Sequence, residues 1–319
     1  MRSDSFDDLD RQLAHTLQIN PRAPFSRIAA VLGVSDQTVA RRYTRLRSSG
    51  TLHVRGLTDP YLHASAPWFL RVRCAPIAAT SIADALARRD DTAWVRLTSG
   101  GTEIVCMVTS HTGTSESLLL DLLPRTPRVE GVTAHYLLRT FSRGLHRMIA
   151  DHSGLTPDQI RSLQPDDTMH ISRPRALDDL DRLLLQALAD DGRTGLAELV
   201  AITRWSRDAV RRRLTELTQS GTLYFDIDVD HRLFPAIAAW TVLWLSVEPA
   251  ALDIVGNALA GHSEVAYAAA TTGPTNIYAS VACSNAPALY DYLTCKIAPL
   301  PGIRHLETGP VLRNIKSNR

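Results

Sequence analysis

Two segments of the sequence repeat an arrangement of arginines that could bind a negatively charged partner. Residues 34–52 read VSDQTVARRYTRLRSSGTL and residues 205–223 read WSRDAVRRRLTELTQSGTL, with the Ser, Val, paired Arg, Leu and Ser-Gly-Thr-Leu in the same register. Arg and Gln side chains form bidentate hydrogen bonds with the edges of DNA bases, and arginines also bind phosphates. The spacing therefore predicts two DNA-contacting segments, provided that each is a helix presenting these side chains on one face.

The first segment has the pattern of an amphipathic helix. Val39, Tyr43 and Leu46 recur at helical spacing and are expected to point inward, with Thr44 on the opposite, outer face. Ser35 can cap this helix because its hydroxyl accepts a hydrogen bond from a backbone N–H two or three residues later. The side chains predicted to contact DNA are Ser35, Gln37, Thr38, Arg41, Arg42 and Arg45.

The residues before this helix predict a helix-turn-helix motif (HTH). Pro21 and Pro24 end an earlier helix whose buried face is marked by Leu9, Leu13 and Leu17. A short second helix follows from Phe25, and Gly33 then permits a left-handed turn. Two short helices joined by a tight turn, the second capped and basic, form an HTH whose second helix enters the major groove.

The second arginine segment belongs to a second HTH that differs in charge. Residues 177–223 carry a net charge of −1, whereas residues 6–52 carry +3. Because phosphate neutralisation dominates affinity for DNA, the second HTH is expected to bind more weakly. Arg204 also replaces the turn residue Gly33, which costs about 1–2 kcal/mol if the left-handed geometry is kept. Its predicted DNA contacts are Ser206, Arg207, Asp208, Arg211, Arg212 and Arg213.

The HTH repeat is part of a duplication of the whole chain. A shift of 171 positions aligns residues 6–52 with 177–223 without a gap, and 19 of the 47 pairs are identical. A shift of about 173 aligns residues 76–101 with 249–274 by pattern. Residues between the halves hold the helix-starting signature Thr156-Pro157-Asp158. We predict an HTH domain at 1–60, a sensing domain at 61–145, a linker at 146–175, and a second pair of domains at 176–232 and 233–319.

Each larger domain has a ferredoxin-like pattern. The first reads as strand 68–72, helix 77–89, strands 93–98 and 104–109, helix 115–122 and strand 133–141, with Gly100-Gly101 as the hairpin. The second half repeats this βαββαβ order, from a strand at 239–245, within the apolar stretch 233–245, to a strand at 310–315. The predicted fold class is α+β: two winged-helix-like HTH units alternating with two ferredoxin-like βαββαβ domains. The open face of each sheet is expected to find a partner.

Composition places the chain among soluble globular proteins. Hydrophobic residues make up 45%, charged residues 21%, and the net charge is +2. The start lacks an apolar run and no apolar stretch could span a bilayer, so neither a signal peptide nor a membrane partner is expected. Cys74, Cys106, Cys283 and Cys295 lack the paired spacing of metal or redox sites and read as small buried side chains. We expect a cytoplasmic protein without metal or cofactor.

The motifs resemble those of the leucine-responsive/AsnC family of bacterial transcription regulators, here as a tandem fusion over nearly the whole chain. FDDLDRQLAHTLQINPR and LDDLDRLLLQALADDGR are similar to the family's first helix, and LGVSDQTVARRYTRLRSSGTL to its recognition segment. Residues 300–308 are similar to its Leu-Pro-Gly-Val-x4-Thr entry to the last strand. The resemblance implies DNA-binding and amino-acid-sensing domains in homodimers that often form rings. This chain would then be a covalent pseudo-dimer that forms homo-oligomers, and its two HTHs need not match.

The resemblance also implies a site for an amino acid or related metabolite near a Gly-x-x-Asp turn between the middle strands. The matching residues are Gly100, Gly101, Thr102 and Glu103 in the first half, and Gly273, Thr275 and Asn276 in the second. Neither turn keeps the aspartate, since Glu103 retains only its charge and Asn276 only its shape. The turn backbone is expected to hold an α-carboxylate, with Glu103 facing the ammonium group. The alternative is that these are ordinary hairpin residues.

Two other classes remain as alternatives. Siroheme decarboxylases resemble the same family and place histidines and an arginine on the middle strands to act on a tetrapyrrole. Here residues 93–109 contain Arg96 but no histidine, and residues 266–281 contain no histidine; the histidines considered elsewhere are His111, His146, His152 and His262. No catalytic residue is assigned, and a regulator rather than an enzyme is predicted. The second alternative is a protein-interaction module whose HTHs no longer bind DNA. It fits the acidic second HTH but not the first.

Overall fold

The computed structural model describes residues 6–58, 67–109, 117–143, 149, 153–164, 177–230, 233–234 and 237–316. The helices are α1 (Asp8–Ile19), α2 (Phe25–Leu32), α3 (Asp36–Ser48), α4 (Pro76–Ala87), α5 (Ser117–Leu122, π-helical, continuing over Leu123–Arg125), α6 (Pro157–Leu163), α7 (Asp179–Asp190), α8 (Leu196–Thr203), α9 (Arg207–Gln219), α10 (Leu252–Gly261) and α11 (Ala286–Asp291, continuing as π-helical Tyr292–Ile297). The strands are β1 (Leu52–Thr58), β2 (Trp68–Cys74), β3 (Thr92–Thr98), β4 (Glu103–Val108), β5 (Val129–Arg143), β6 (Leu223–Val229), β7 (Ala239–Val247), β8 (Val265–Thr271), β9 (Ile277–Cys283) and β10 (Ile303–Lys316). None of the helices described is long and apolar enough to cross a membrane.

The chain divides into two compact units, each built from both halves of the sequence. One holds residues 1–62 and 149–234, and the other holds residues 63–148 and 235–319. The predicted domains follow one another along the chain, whereas each compact unit combines a domain with its repeat. The two copies seen in the sequence are therefore also associated in the structure, each domain with its own repeat.

The first compact unit contains two HTHs, each followed by a wing strand. The first HTH is α1–α3 with β1, and the second is α7–α9 with β6. The wings pair antiparallel, from Leu52 opposite Val229 to Thr58 opposite Leu223. The winged-helix prediction is confirmed, and the two wings form a single two-stranded sheet.

Two equivalent arginines bind the opposite HTH. Arg22 donates to the carbonyl of Gly192 at 2.6 Å. Arg193, which is 171 positions later, donates to the carbonyls of Pro21 at 2.7 Å and Ala23 at 2.8 Å. Burial lowers the pKa of both guanidinium groups. These reciprocal contacts give one chain the self-complementary interface that two-fold dimers form between subunits.

The linker helix α6 packs on the first HTH. Thr156 caps the helix by accepting from the Gln159 backbone N–H, as its sequence signature predicts. The Gln159 side chain donates to the Val31 carbonyl at 2.8 Å, and Arg27 donates to the Ser162 carbonyl at 2.7 Å. The described part of the linker is thereby attached to α2.

The second compact unit contains both βαββαβ domains. The first is β2-α4-β3-β4-α5-β5 and the second is β7-α10-β8-β9-α11-β10, which confirms the predicted order. In addition, β5 pairs with β8 and β10 pairs with β3. The two sheets thus close into one eight-stranded barrel in the order β10-β3-β4-β2-β5-β8-β9-β7. The partner expected for the open face of each sheet is the other half of the same chain.

Helices cover the outside of the barrel, and aromatic side chains fill its inside. One apolar core joins α4 and α5 to the first sheet, and another joins α10 and α11 to the second. Because side chains alternate along a strand, the residues between these core positions point into the barrel. There a cluster of rings is in mutual contact: Phe69, Trp94, Trp244, Tyr267 and Tyr278. An eight-stranded barrel has room for such side chains or for one small ligand.

Some predicted boundaries are wrong. β5 and β10 span Val129–Arg143 and Ile303–Lys316, beyond the predicted 133–141 and 310–315, because each pairs with strands of both halves. The strand predicted at 239–245 begins at Ala239 as predicted and runs two residues further, to Val247. Leu233 and Phe234, at the start of the apolar stretch, are buried.

One of the four cysteines departs from the prediction. Cys74, Cys106 and Cys283 are buried, and burial raises the pKa of the Cys106 thiol to about 12. Cys295 is exposed because it lies on the outer side of the π-helical turn after α11, between the buried Tyr292 and Ile297.

Candidate nucleic-acid interface and effector site

The structure presents α3 as the sequence predicts. Gly33 ends α2 in the left-handed region at φ +68°, and the Ser35 side chain accepts from the Thr38 N–H at 3.2 Å. Val39, Tyr43 and Leu46 are buried beneath the helix. The outer face is exposed and polar, with Thr38 and Arg42 half-buried at its flanks; its exposed members are Gln37, Arg41, Thr44 and Arg45. This orientation is the one a recognition helix needs.

Arg42 already binds two carboxylates. Its Nη1 lies 2.6 Å from Asp7 Oδ1 and 2.8 Å from Asp10 Oδ1, and Arg45 Nη2 lies 2.5 Å from Asp10 Oδ2. Asp7 and Asp10 also cap α1 reciprocally. Partial burial raises the pKa of Asp7, but hydrogen bonds from Arg42 and the Asp10 backbone outweigh it and leave that pKa below its ordinary value. Arg42 therefore clamps α3 to the start of α1.

Arg41 differs from the other arginines of α3. Arg42 and Arg45 bind Asp10, and Arg47 Nη2 lies 2.9 Å from Asp191 Oδ2. In the part of the chain described by the structure, Arg41 is exposed and has no ion pair. Arg41 is thus the α3 cation with its charge least compensated.

The second HTH has the same clamp between its first helix and its recognition helix, and carboxylates also pair with the other arginines of α9. Arg213 stands at the Arg42 position and lies 3.0 Å from Asp178 and 3.6 Å from Asp181. Arg212 lies 3.7 Å from Glu216, which replaces Arg45, and Arg211 lies 3.9 Å from Asp208. Surface pairs at such distances are individually weak, yet they place acidic groups on the DNA-facing side. The remaining predicted contacts, Ser206, Arg207 and Asp208, are exposed at the start of α9.

The turn of the second HTH keeps its geometry despite losing glycine. Arg204 adopts φ +59° and ψ +24°, close to the φ +68° and ψ +31° of Gly33. Ser206 caps α9 by accepting from the Ala209 N–H at 3.3 Å. The left-handed strain predicted for Arg204 is therefore present.

In the barrel unit, the first predicted effector turn is closed around an ion pair. Gly100 and Gly101 have φ of +69° and +89° and join β3 to β4, and Thr102 donates to the Ser99 carbonyl. Glu103 is buried and accepts from Arg71 Nε at 2.8 Å. The Arg71 guanidinium therefore lies beside Glu103, in the place predicted for the ammonium group of an effector.

The second predicted turn is held by its asparagine. Asn276 Oδ1 accepts from the Val247 N–H and its Nδ2 donates to the Val247 carbonyl, both at 2.8 Å. Its amide therefore joins the turn to β7. Gly273 has φ +107°, and a Cβ there would lie 2.7 Å from His135 Nδ1, while Thr275 is buried.

His135 is a buried polar residue that the sequence analysis missed. It lies on β5, its ring is 4.8 Å from that of Trp244, and its Nδ1 is 2.8 Å from the Thr272 carbonyl. Burial lowers the pKa of His135 more than hydrogen bonds to the Thr272 and Thr275 backbones raise it. His135 was not predicted as a site residue because it lies outside the middle strands, and no local signal shows that β5 crosses to the other half.

The other residues weighed for catalysis are dispersed. Arg96 points into the barrel and donates to the Ser280 hydroxyl at 2.8 Å. His262 contacts the Tyr292 hydroxyl at 3.1 Å. His111, His146 and His152 lie outside the described residues. This arrangement brings none of the considered histidines to Arg96 within the described parts of the chain.

Three segments of the chain match known domain families. Residues 6–47 match an AsnC-type helix-turn-helix domain, residues 177–223 a winged helix-turn-helix DNA-binding domain, and residues 241–319 an Lrp/AsnC ligand binding domain. The HTH-type transcriptional regulator FL11 of Pyrococcus horikoshii is 26% identical over 136 residues, 42% of this chain and 90% of that protein. An uncharacterized HTH-type transcriptional regulator of Pyrococcus abyssi is 27% identical over 145 residues, 46% of this chain and 91% of that protein.

A solved structure resembles the chain over its full length. The siroheme decarboxylase NirDL superposes with a TM-score of 0.63 at 14% identity, covering 98% of this chain and 93% of its own. At that identity the likeness concerns the fold. The sequence matches, by contrast, are to DNA-binding and ligand-binding domains and to regulators. The chain belongs to the Lrp/AsnC family of transcription regulators.

Proposed function

We propose that this regulator contacts DNA mainly through α3 and secondarily through α9. The observation that supports this is the difference in charge compensation between the two helices. Arg41 projects from α3 without an ion pair among the described residues, whereas Arg211, Arg212 and Arg213 lie 3.0 to 3.9 Å from carboxylates. An unpaired guanidinium can bind a phosphate or a base edge directly, but a paired one must first give up its carboxylate.

We propose further that one chain works as a covalent pseudo-dimer. The paired wings, the reciprocal Arg22 and Arg193 contacts and the mutually closed barrel support this. Because one gene encodes both copies, either copy can change alone, and the loss of charge on α9 is such a change. Assembly of these chains into homo-oligomers is part of the proposal, and a solution mass above that of one chain would support it.

A small effector, an amino acid or a related metabolite, is proposed to bind the barrel unit and to modulate DNA binding or assembly. The match of residues 241–319 to a ligand binding domain supports this role. We propose a regulator without catalytic activity, because the sequence relatives are named transcriptional regulators and the decarboxylase likeness concerns the fold.

The DNA contact is tested with Arg41→Ala, and Arg212→Ala at the equivalent position serves as the matched control. Operator fragments recovered by genomic mapping are titrated with salt in gel-shift experiments. Arg41→Ala should lower affinity and make the dependence of log K on log salt shallower by about one phosphate contact. Arg212→Ala should change both less. Unchanged binding by Arg41→Ala, or an equal loss in the two variants, would contradict the proposal.

A further inference from the structure

We propose that the second HTH docks an amphipathic helix of another protein, one that carries Lys or Arg side chains beside its apolar ones. The docking surface is the α7/α8 face, which consists of exposed or half-buried residues of these two helices: Leu185, Asp191, Glu198, Val200 and Ile202. This inference goes beyond the DNA contact and does not depend on it. It gives the second HTH, whose recognition helix is less basic, a role of its own.

On the first HTH the equivalent surface is covered by the linker segment that contains α6. His15 Nδ1 contacts the Ser153 hydroxyl, and the Gln159 side chain donates to the Val31 carbonyl at 2.8 Å. Leu163, the last residue of α6, is fully buried. The surface formed by the first two helices of an HTH is therefore one on which a further helix packs in this protein.

The α7/α8 face is more exposed than its covered counterpart. Ala14 and Ala29 are 0% and 2% exposed, whereas Leu185 and Val200 at the equivalent positions are half-buried. Ile202 is 44% exposed. Because apolar side chains that remain partly in water gain free energy when a partner covers them, this face favours an apolar contact.

Donors on the first HTH hold the C-terminal end of α6. Asn20 Nδ2 donates to the Leu163 carbonyl at 3.2 Å. Arg27 Nη2 donates to the carbonyls of Ser162 at 2.7 Å and Gln164 at 3.0 Å. The last carbonyls of a helix have no partner within the helix and carry partial negative charge. The first HTH therefore binds the negative end of a helix through donor side chains.

The second HTH has acceptors at both of these positions. Asp191 stands at the Asn20 position and Glu198 at the Arg27 position. An ionised carboxylate can only accept a hydrogen bond, so the C-terminal end of a helix does not fit here. Asp191 pairs with Arg47, but Glu198 is exposed and has no ion pair within the described residues. The face therefore suits the Lys or Arg side chains of a partner helix.

The same charge decides against a second copy of this chain as the occupant. The α6 of a second copy would bring its last carbonyls toward Glu198, and a second α7/α8 face would bring another Glu198 toward the first. Both arrangements place negative groups together, which costs binding free energy. The chemistry that fits is a helix with apolar side chains against Leu185, Val200 and Ile202 and a basic side chain against Glu198.

Site-specific photo-crosslinking in the cells that make this protein identifies what lies on the face. A photoreactive residue is placed at position 202, and the matched control places it at position 31, the equivalent position beneath α6. The control should crosslink within the chain, to the linker segment. The probe at position 202 should join a different protein, and mass spectrometry should locate the adduct in a segment with helical apolar periodicity and at least one Lys or Arg.

The crosslinked segment is then synthesised as a peptide and titrated into the purified full chain. Glu198→Arg should weaken binding about fivefold or more, because it places like charges together. Glu216→Arg is the matched control: each variant introduces the arginine found at the equivalent position of the first HTH, but Glu216 lies on α9, so peptide binding should not change. Ile202→Ser should weaken binding about fivefold through lost apolar burial, which keeps the test decisive if the Glu198→Arg chain does not fold.

Several results would overturn the inference. These are no adduct with another molecule at position 202, an adduct with nucleic acid or with a second copy of this chain, a crosslinked segment without Lys or Arg, and equal peptide binding by the Glu198→Arg and Glu216→Arg chains. Operator binding is measured on the same variants. Since α3 lies outside the α7/α8 face, Glu198→Arg and Ile202→Ser should bind the operator as the unaltered chain does.

Discussion

Arg204 adopts a backbone conformation that its counterpart Gly33 reaches without strain. Their φ values are +59° and +68°, and a residue with a Cβ loses roughly 1–2 kcal/mol in this region. The second HTH keeps its turn because α8, the Ser206 cap and α9 hold the chain on both sides. The strain is thus a local cost that the fold tolerates.

Arg204→Gly should therefore raise the free energy of unfolding by about 1 kcal/mol, and Gly33→Ala should lower it by about the same amount. Urea unfolding followed by circular dichroism measures both. Gly195→Ala is the control, since Gly195 has an ordinary φ of −72° and a Cβ added there would meet no atom within 4 Å. If Arg204→Gly gains no more than this control, the left-handed strain is not there.

Residue orientation on the recognition helix was predictable, but side-chain partners were not. Helical periodicity alone predicts that Arg41 points outward, and the structure agrees. The clamp between Arg42 and Asp10 joins residues 32 positions apart on two helices, so it depends on how those helices pack. His135 was missed for the same reason, because its neighbours Trp244 and Thr272 come from the other half of the chain.

At the scale of elements, one clamp recurs in both HTHs and joins the first helix to the recognition helix. Arg42 binds Asp7 and Asp10 between α3 and α1, and Arg213 binds the equivalent aspartates between α9 and α7. The Asp10 side chain is only 1% exposed, so the arginines pair with a carboxylate that water barely reaches. Both repeats keep this clamp, but Glu216 stands at the position equivalent to Arg45. Arg42 and Arg213 therefore have a structural role, whereas the residue at the Arg45 position can change.

Arg42→Ala should lower the free energy of unfolding by about 2 kcal/mol, because charged hydrogen bonds to a buried carboxylate are lost. Arg41→Ala, its exposed neighbour, should change stability by less than about 0.5 kcal/mol. The pKa of Asp7 is lowered, so its contribution is present above the ordinary value of about 3.9 and is lost as the pH falls through the lower folded value. Chemical denaturation at neutral and acid pH tests both points, and equal stability of the two variants would refute the clamp.

At the scale of the whole molecule, the repeat was predictable and its closure was not. Sequence periodicity correctly predicts two HTHs and two βαββαβ domains, and it predicts that each open sheet needs a partner. That the partner is the other half follows only from the length of β5 and β10, which extend to pair with β8 and β3. Such pairings join residues more than a hundred positions apart, beyond the reach of local patterns.

Hydroxyl-radical footprinting on a mapped operator is the most direct test of the account. It shows whether the two recognition helices of one chain bind the same DNA, and whether one of them binds more strongly. We expect two protected half-sites about one helical turn apart, or a multiple of it, with one protected more strongly. Arg41→Ala should erase the stronger half-site, and Arg212→Ala should affect only the weaker one. Equal protection that survives Arg41→Ala, or no protection by the unaltered chain, would contradict the account.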